Sequence, residues 1–253
     1  MQCEAMNPSR KIAFLTLATP LALAVAACGQ STEDGPPEGD AIAAIPAPEG
    51  QQWTEIAAAT AEGGNVIGNP EAPLKLVEYA SHTCSHCADF SDEASAPMRE
   101  KYIATGVVSH EIRNLIRDPI DLSIAVLARC SGPQAFHPLA EQAWANFANI
   151  IDTVNANQEA YGAAMQSTGG ERLQGVAEAA GLVDFFAARG ISRDQAMQCL
   201  ADEDTVTQLV EQTEEQATEH DITGTPTFFL NGRKLNVTTW EALEPILQNA
   251  GAR

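Results

Sequence analysis

The chain has 253 residues, 14 basic against 34 acidic, for a formal net charge of −20. Its 45% hydrophobic and 19% charged residues are those of a globular protein, which excludes wholesale disorder, and a surface this acidic repels phosphate backbones, so nucleic acid is excluded as a partner. Six cysteines are too few for a disulfide-dense miniprotein, and the longest apolar run, Ile12 to Ala27, is shorter than a membrane-spanning helix.

Arg10 and Lys11 precede that run, and Val25-Ala26-Ala27-Cys28 follows within it. A basic n-region, an apolar h-region and small residues before a cleavage point describe a secretory signal over residues 1–27. Val-Ala-Ala-Cys resembles the lipobox of bacterial lipoproteins. The resemblance implies that Cys28 becomes the lipidated first residue, with the protein held on the periplasmic side of the envelope, the outer membrane slightly favoured. Met6 makes a more ordinary signal start than Met1. Gln30 to about Gln52 is rich in Gly, Pro, Ala and acidic residues and reads as a disordered tether, so residues 28–64 are expected to be mostly unstructured.

Trp53 to Ala61 is expected to form a short helix, and Gly63 to Pro70 a loop. Leu74 to Tyr79 has strand character and leads into Cys84-Ser85-His86-Cys87, after which Ala88 to Tyr102 reads as a helix ended by Gly106. Val107 to Asn114 alternates as a second strand. From Leu122 to Leu200 only helical patterns appear: Leu122–Cys130, Leu139–Phe147, Gln158–Met165, Arg172–Ala180 and Ser192–Leu200. Ser192 with Gln195 forms a candidate capping pair. A polar helix from Thr205 to His220, a strand at Thr227–Leu230, an Asn231-Gly232 turn and a helix from Trp240 complete the chain. Strands come from both ends, so an all-helical domain over 118–203 is expected to interrupt an α/β domain made of 65–117 and 204–253.

C-x-x-C at a strand-to-helix junction has a chemical logic. The helix N-terminus offers unpaired N–H groups and the positive end of the dipole, which favour the thiolate of Cys84. Cys87 lies one turn on, more buried, and a stabilised thiolate is a good leaving group. His86 between them can donate to the thiolate or add positive charge. Zinc is the main rival, but a closed site needs two further ligands. No second C-x-x-C exists, and His82 and His86 would crowd Cys84 and Cys87 around one ion.

Gly224-Thr225-Pro226-Thr227-Phe228-Phe229 follows, with Pro226 lying 142 residues after Cys84. This resembles the cis-proline loop of the thioredoxin superfamily. With Gly68 to Pro73 ahead of the first strand, Glu78-Tyr79 before Cys84 and the helical insert, residues 65–253 resemble the DsbA-like branch. The resemblance implies a thioredoxin fold with an inserted helical domain. It makes Cys84 the attacking-face cysteine and Cys87 its buried partner. Pro226 becomes the cis-proline that turns the Thr225 backbone toward substrate, and Glu78 a buried acid moving protons to and from Cys87. It implies exchange with unfolded or reduced envelope proteins and reoxidation by a membrane redox partner, with no organic cofactor and no metal beyond the redox disulfide itself.

The expected function is donation of a disulfide from Cys84–Cys87 to substrate thiols; Ser-His stands where the strongest oxidants of the branch have Pro-His, so a reductase or isomerase working from the reduced state stays in view as the alternative. So does a non-enzymatic metal or redox-partner chaperone using the same cysteines. Cys130 and Cys199 are left over in one domain and most simply pair in an oxidising compartment, against a regulatory relay or two separate buried thiols. His82, His110, His137 and His220 have no assignable partner and read as structural. Trp144, Phe147, Phe185 and Phe186 read as core of the insert, and the acidic run Glu211 to Glu219 as a solvated helix face.

Overall fold

The computed structural model describes residues 39–253, so the signal region and Cys28 lie outside the described residues. Six strands form one sheet in the order β1-β2-β4-β3-β5-β6. At its centre β3 (Leu74–Ala80) runs parallel to β4 (Val108–Asn114) and antiparallel to β5 (Thr227–Leu230). A strand buried from both sides favours apolar residues with few breaks; β5 and most of β3 supply them, whereas β4 buries Ser109, His110, Glu111 and Asn114 beside Val108 and Ile112. The edges are β1 (Ala57–Ala59) with β2 (Asn65–Gly68) on one side and β6 (Arg233–Lys234) on the other. Asn231 fixes the β5–β6 turn by accepting from the Lys75 backbone N–H at 2.8 Å and donating to the Pro73 carbonyl at 3.0 Å.

Helix α1 (Ser85–Pro97) crosses from β3 toward β4 and ends in a π turn at Met98–Tyr102 and a 3-10 turn at Ile103–Thr105. The last helix, α10 (Trp240–Asn249), packs beside it, with Phe90 against Phe228 and Trp240 against both Phe90 and Tyr102. These residues with Leu74, Leu76, Leu243 and Leu247 make the core of the α/β part.

Between β4 and β5 the chain is helical throughout. Its helices are α2 (Pro119–Arg129), α3 (Pro133–Ala145), α4 (Phe147–Ala156), α5 (Gln158–Ala164), α6 (Gly169–Ala179), α7 (Leu182–Ala187), α8 (Arg193–Leu200) and α9 (Glu203–Glu219). Ser192 caps α8, its hydroxyl accepting from the Gln195 N–H, as the sequence suggests. A second core runs through Ile124, Leu127, Phe136, Leu182, Phe186 and Leu200, and it also takes in Ala80, Cys84, Cys87 and Ile112. The C-x-x-C pair therefore lies where the core of the insert meets the end of the sheet.

The tether expectation needs correction. From Gly39 the chain is an ordered strap rather than a disordered leash. The Gly39 and Ile42 N–H groups donate to the carbonyls of Asn249 and Gly251, and the Ile45 N–H to that of Thr105. Ile42, Ile45 and Ala47 pack on the α/β core, and buried Trp53 donates its indole N–H to the Ile45 carbonyl at 2.7 Å. Apolar area explains the order: three aliphatic side chains in a Pro-rich stretch lose little chain entropy and leave water. Gly106 (φ 72°) and Gly251 (φ 114°) make room for it, since a Cβ at either would strike the strap or Trp53. The expected helix at Trp53–Ala61 is a single 3-10 turn (Trp53–Glu55) followed by β1, and the expected loop at Gly63–Pro70 contains β2. Pairing of β2 with β4 overrides the weak local preference of Asn65–Gly68.

Candidate active site

Cys84 is the N-cap of α1, with extended backbone (φ −99°, ψ 118°), so its sulfur faces the first turn's unpaired N–H groups. The preceding loop is held from the insert. Asp121, fully buried near the start of α2, accepts from the Ser81 hydroxyl at 2.6 Å, the His82 N–H at 2.8 Å and the Arg117 N–H at 3.0 Å. Asp118 accepts from the Thr83 hydroxyl at 2.5 Å while capping α2 through the Ile120 and Asp121 N–H groups. From α3, Trp144 donates to the Ser81 carbonyl at 3.0 Å and stacks on His82.

Register delivers the other wall. Antiparallel pairing sets Thr227 opposite Tyr79, and the strand path continued one residue further brings Pro226 and Thr225 across from the loop before Cys84. The Thr225–Pro226 bond is cis, and the Cys84 thiol donates to the Thr225 carbonyl at 3.3 Å.

Both cysteines are thiols in the structure, with very different environments. The Cys84 thiol is lowered to about 5, chiefly by a hydrogen bond from the Cys87 thiol. Burial opposes the shift, and the Thr225 side chain and the N–H groups of Cys87 and His86 add to it. The Thr225 carbonyl favours the protonated thiol, but it is one contact against several that favour the thiolate. Cys87, with no exposed surface, is driven far upward, first by burial, then by its bond to Cys84 and by the Glu78 carboxylate. His86 is exposed, and among the described residues its imidazole bonds neither sulfur. What reaches Cys84 is its backbone N–H.

Glu78 lies on β3, 2% exposed, and its Oε2 pairs with His110 Nε2 at 3.0 Å. Sequence reasoning read His110 as structural and Trp144 as core of the insert, and did not single out Asp118 or Asp121. Asp118-Pro119 is a readable helix start, but nothing local says that the start of α2 meets the active-site loop.

Cys130 and Cys199 form a disulfide that ties the end of α2 to α8. Among the described residues, no three His, Cys, Asp or Glu side chains are grouped as metal ligands. No described helix is long and apolar enough to cross a membrane.

A family model described as thioredoxin matches residues 60–249. A candidate protein-disulfide oxidoreductase of Rickettsia conorii is 29% identical over 66% of this chain and 53% of its own length. Its counterpart in Rickettsia prowazekii is 30% identical over 66% and 54%. The chain thus spans about half the length of these curated relatives. Among solved structures, a protein-disulfide isomerase from Novosphingobium aromaticivorans superposes with a TM-score of 0.68 at 29% identity, over 76% of this chain and 97% of that one. The α-DsbA1 protein of Wolbachia pipientis shares the fold, with a TM-score of 0.60 at 22% identity over 74% and 89%. An α/β sheet interrupted by helices, with C-x-x-C capping α1 against a cis-proline, agrees with these matches, and the chain belongs to the thioredoxin family, with a DsbA-like fold.

Proposed function

We propose that this protein is a thiol–disulfide oxidoreductase that exchanges disulfides with other proteins through Cys84 and Cys87, and that it works as a disulfide donor. The observation that carries the reading is the split between the two thiols: Cys84 lowered to about 5, Cys87 driven up and buried. A substrate thiolate attacks the Cys84 sulfur of the oxidised pair. The Cys84–Cys87 bond breaks, and its electron pair goes to Cys87, which takes up a proton. A second substrate thiolate then attacks the substrate sulfur of the mixed disulfide and releases Cys84 as a thiolate. Two substrate thiols become one disulfide, and of their two protons one replaces that taken by Cys87 and one is left in solution. A leaving thiolate stable at neutral pH favours this direction.

The substrates in this reading are reduced proteins of the cell envelope, and a membrane redox partner reoxidises the pair. The signal-like N-terminus and the Val-Ala-Ala-Cys28 sequence support a lipid-anchored periplasmic location. The redox disulfide serves in place of an organic cofactor or metal. The isomerase reading draws on the 29% identity to the Novosphingobium isomerase and on Thr225 before the proline. The reduction potential of Cys84–Cys87, measured against glutathione buffers, decides between the two. A value near about −120 mV supports the donor, and one near about −270 mV transfers the reading to a reductase or isomerase working from the reduced state.

A further inference from the structure

Beneath Cys87, the face of the sheet that carries Glu78 also carries His110. Paired residues on neighbouring strands point the same way, and β3 against β4 sets Leu76 beside His110 and Glu78 beside Ile112. Glu78 Oε2 meets His110 Nε2 at 3.0 Å, while Glu78 Oε1 is buried with no partner among the described residues. Both residues line a cavity of about 20 Å³, room for one water. Ser91, Ser95, Arg99, His137 and Glu141 are also in its walls.

The charged and titratable groups around His110 come from several elements. Glu78 is on β3, His137 and Glu141 are on α3, Arg99 is in the π turn after α1, and Arg129 on α2 acts on His137. His137 is lowered to about 3, chiefly by burial and then by His110, and is neutral. Its Nε2–H is committed to the Asn65 carbonyl at 2.9 Å, so it offers no outward path for a proton. Glu141 differs. Burial raises its carboxyl, Arg99 at 2.7 Å opposes the shift, and the two side chains are 28% and 31% exposed. Of the cavity's charged and titratable walls they reach solvent furthest, whereas Glu78 and His110 are 2% and 11% exposed at the side chain.

We propose that His110 relays the proton that Glu78 exchanges with Cys87, passing it across this cavity to Glu141 at the rim. It rests on the reading of Cys84–Cys87 as the exchanging pair and adds the route by which that pair stays in protonic contact with water. When the disulfide is reduced, the electron pair arriving at Cys87 is met by a proton from Glu78. Glu78 is reprotonated from His110, and His110 from solvent through Glu141. On reoxidation the Cys87 proton leaves the same way, so the relay serves either direction of exchange. His110 acts through Glu78 and touches neither sulfur.

The test is the single-turnover reduction of the oxidised protein by excess dithiothreitol, across pH and in light and heavy water, for wild type, His110→Ala and Glu141→Gln. Loss of an acid–base group from the route should slow reduction about tenfold or more in His110→Ala. The solvent isotope effect should rise, and added imidazole should restore much of the rate. Glu141→Gln should move the same way by a smaller factor. The Cys84 thiolate absorbance titration should stay where it is in wild type. A His110→Ala protein with wild-type rate, pH profile and isotope effect overturns the relay, as does a slow one that imidazole does not rescue and whose Cys84 titration has moved. Should His110→Ala fail to fold, an unchanged isotope effect in Glu141→Gln overturns it, and a raised one supports it. Cys84→Ser is assayed beside them for catalysed oxidation of a dithiol peptide. Persistent catalysis there removes the underlying reading, whereas its loss together with a normal His110→Ala removes the relay alone.

Discussion

Cys84 and Cys87 are the same residue type one helical turn apart, and the fold gives them opposite acidities. The reduced protein should therefore carry a pH-dependent stability that traces to Cys84. An unfolded cysteine titrates near 8.5, while folded Cys84 is lowered to about 5. The folded state is thus favoured by ionisation, fully above the unfolded value, and the gain is lost as pH falls toward 5. Urea midpoints of reduced wild type and reduced Cys84→Ser should diverge as pH rises from 5 to 8.5, and parallel curves would contradict the assignment. The cysteines and Pro226 are legible in the sequence because each belongs to a local motif. His110 is not, because its meeting with Glu78 depends on the parallel register of two strands, which a chain read one residue at a time does not display. His86 is read in the sequence as able to donate to the thiolate or to add positive charge. A side chain suited to the chemistry is written into the motif, yet its backbone N–H is what faces the sulfur.

At the scale of elements, α2 is the part that joins insert to active site. Its first turn presents Asp118 and Asp121 to three consecutive residues of the loop before Cys84. Asp121→Ala leaves the buried Ser81 hydroxyl and His82 N–H without their acceptor, at about 1–3 kcal/mol each when nothing replaces it, and the Arg117 N–H is left to solvent. A loss of about 3 kcal/mol in unfolding free energy is expected, together with an upward shift of the Cys84 thiolate titration as the loop loosens. A stable variant with unchanged titration would show the clamp to be idle. Strand β3 is legible because it carries its own apolar pattern, and β4 because Val108 and Ile112 stand among polar residues in a segment closed off by Gly106. Strands β1 and β2 are not, because an Ala triplet and a Gly-flanked tetrad become strands only by pairing with each other and with β4. Helix α4 escapes for a related reason: it follows α3 with only Asn146 between them and no Gly or Pro to announce a new axis; α7 does start after Gly181, but its six residues are too few to show a helical period.

At the scale of the whole molecule, the two cores meet at the redox pair, and the insert has a covalent staple of its own. Cys130–Cys199 closes a loop of 69 residues, a constraint on the unfolded chain of about 4 kcal/mol in the entropic account. Replacing both cysteines by Ala should lower unfolding free energy by about that much while leaving dithiol-peptide oxidation per folded molecule near wild type. A large loss of turnover in fully folded protein would instead give this bond a part in electron relay.

The strap has a mechanical meaning. Thr239, the cap at the start of α10, lies beside His86, whereas Gly39 and Arg253 join the backbone at its far end, ten residues and about 15 Å away. The described chain thus starts at the end of α10 away from the redox loop. A load applied at Gly39 passes first into the far end of α10 through Asn249, Gly251 and Arg253, and then through Ile45 into the Thr105 carbonyl and Trp53, rather than directly into the redox loop. Held at Gly39, the described molecule keeps its redox loop at the opposite end of α10 from the grip.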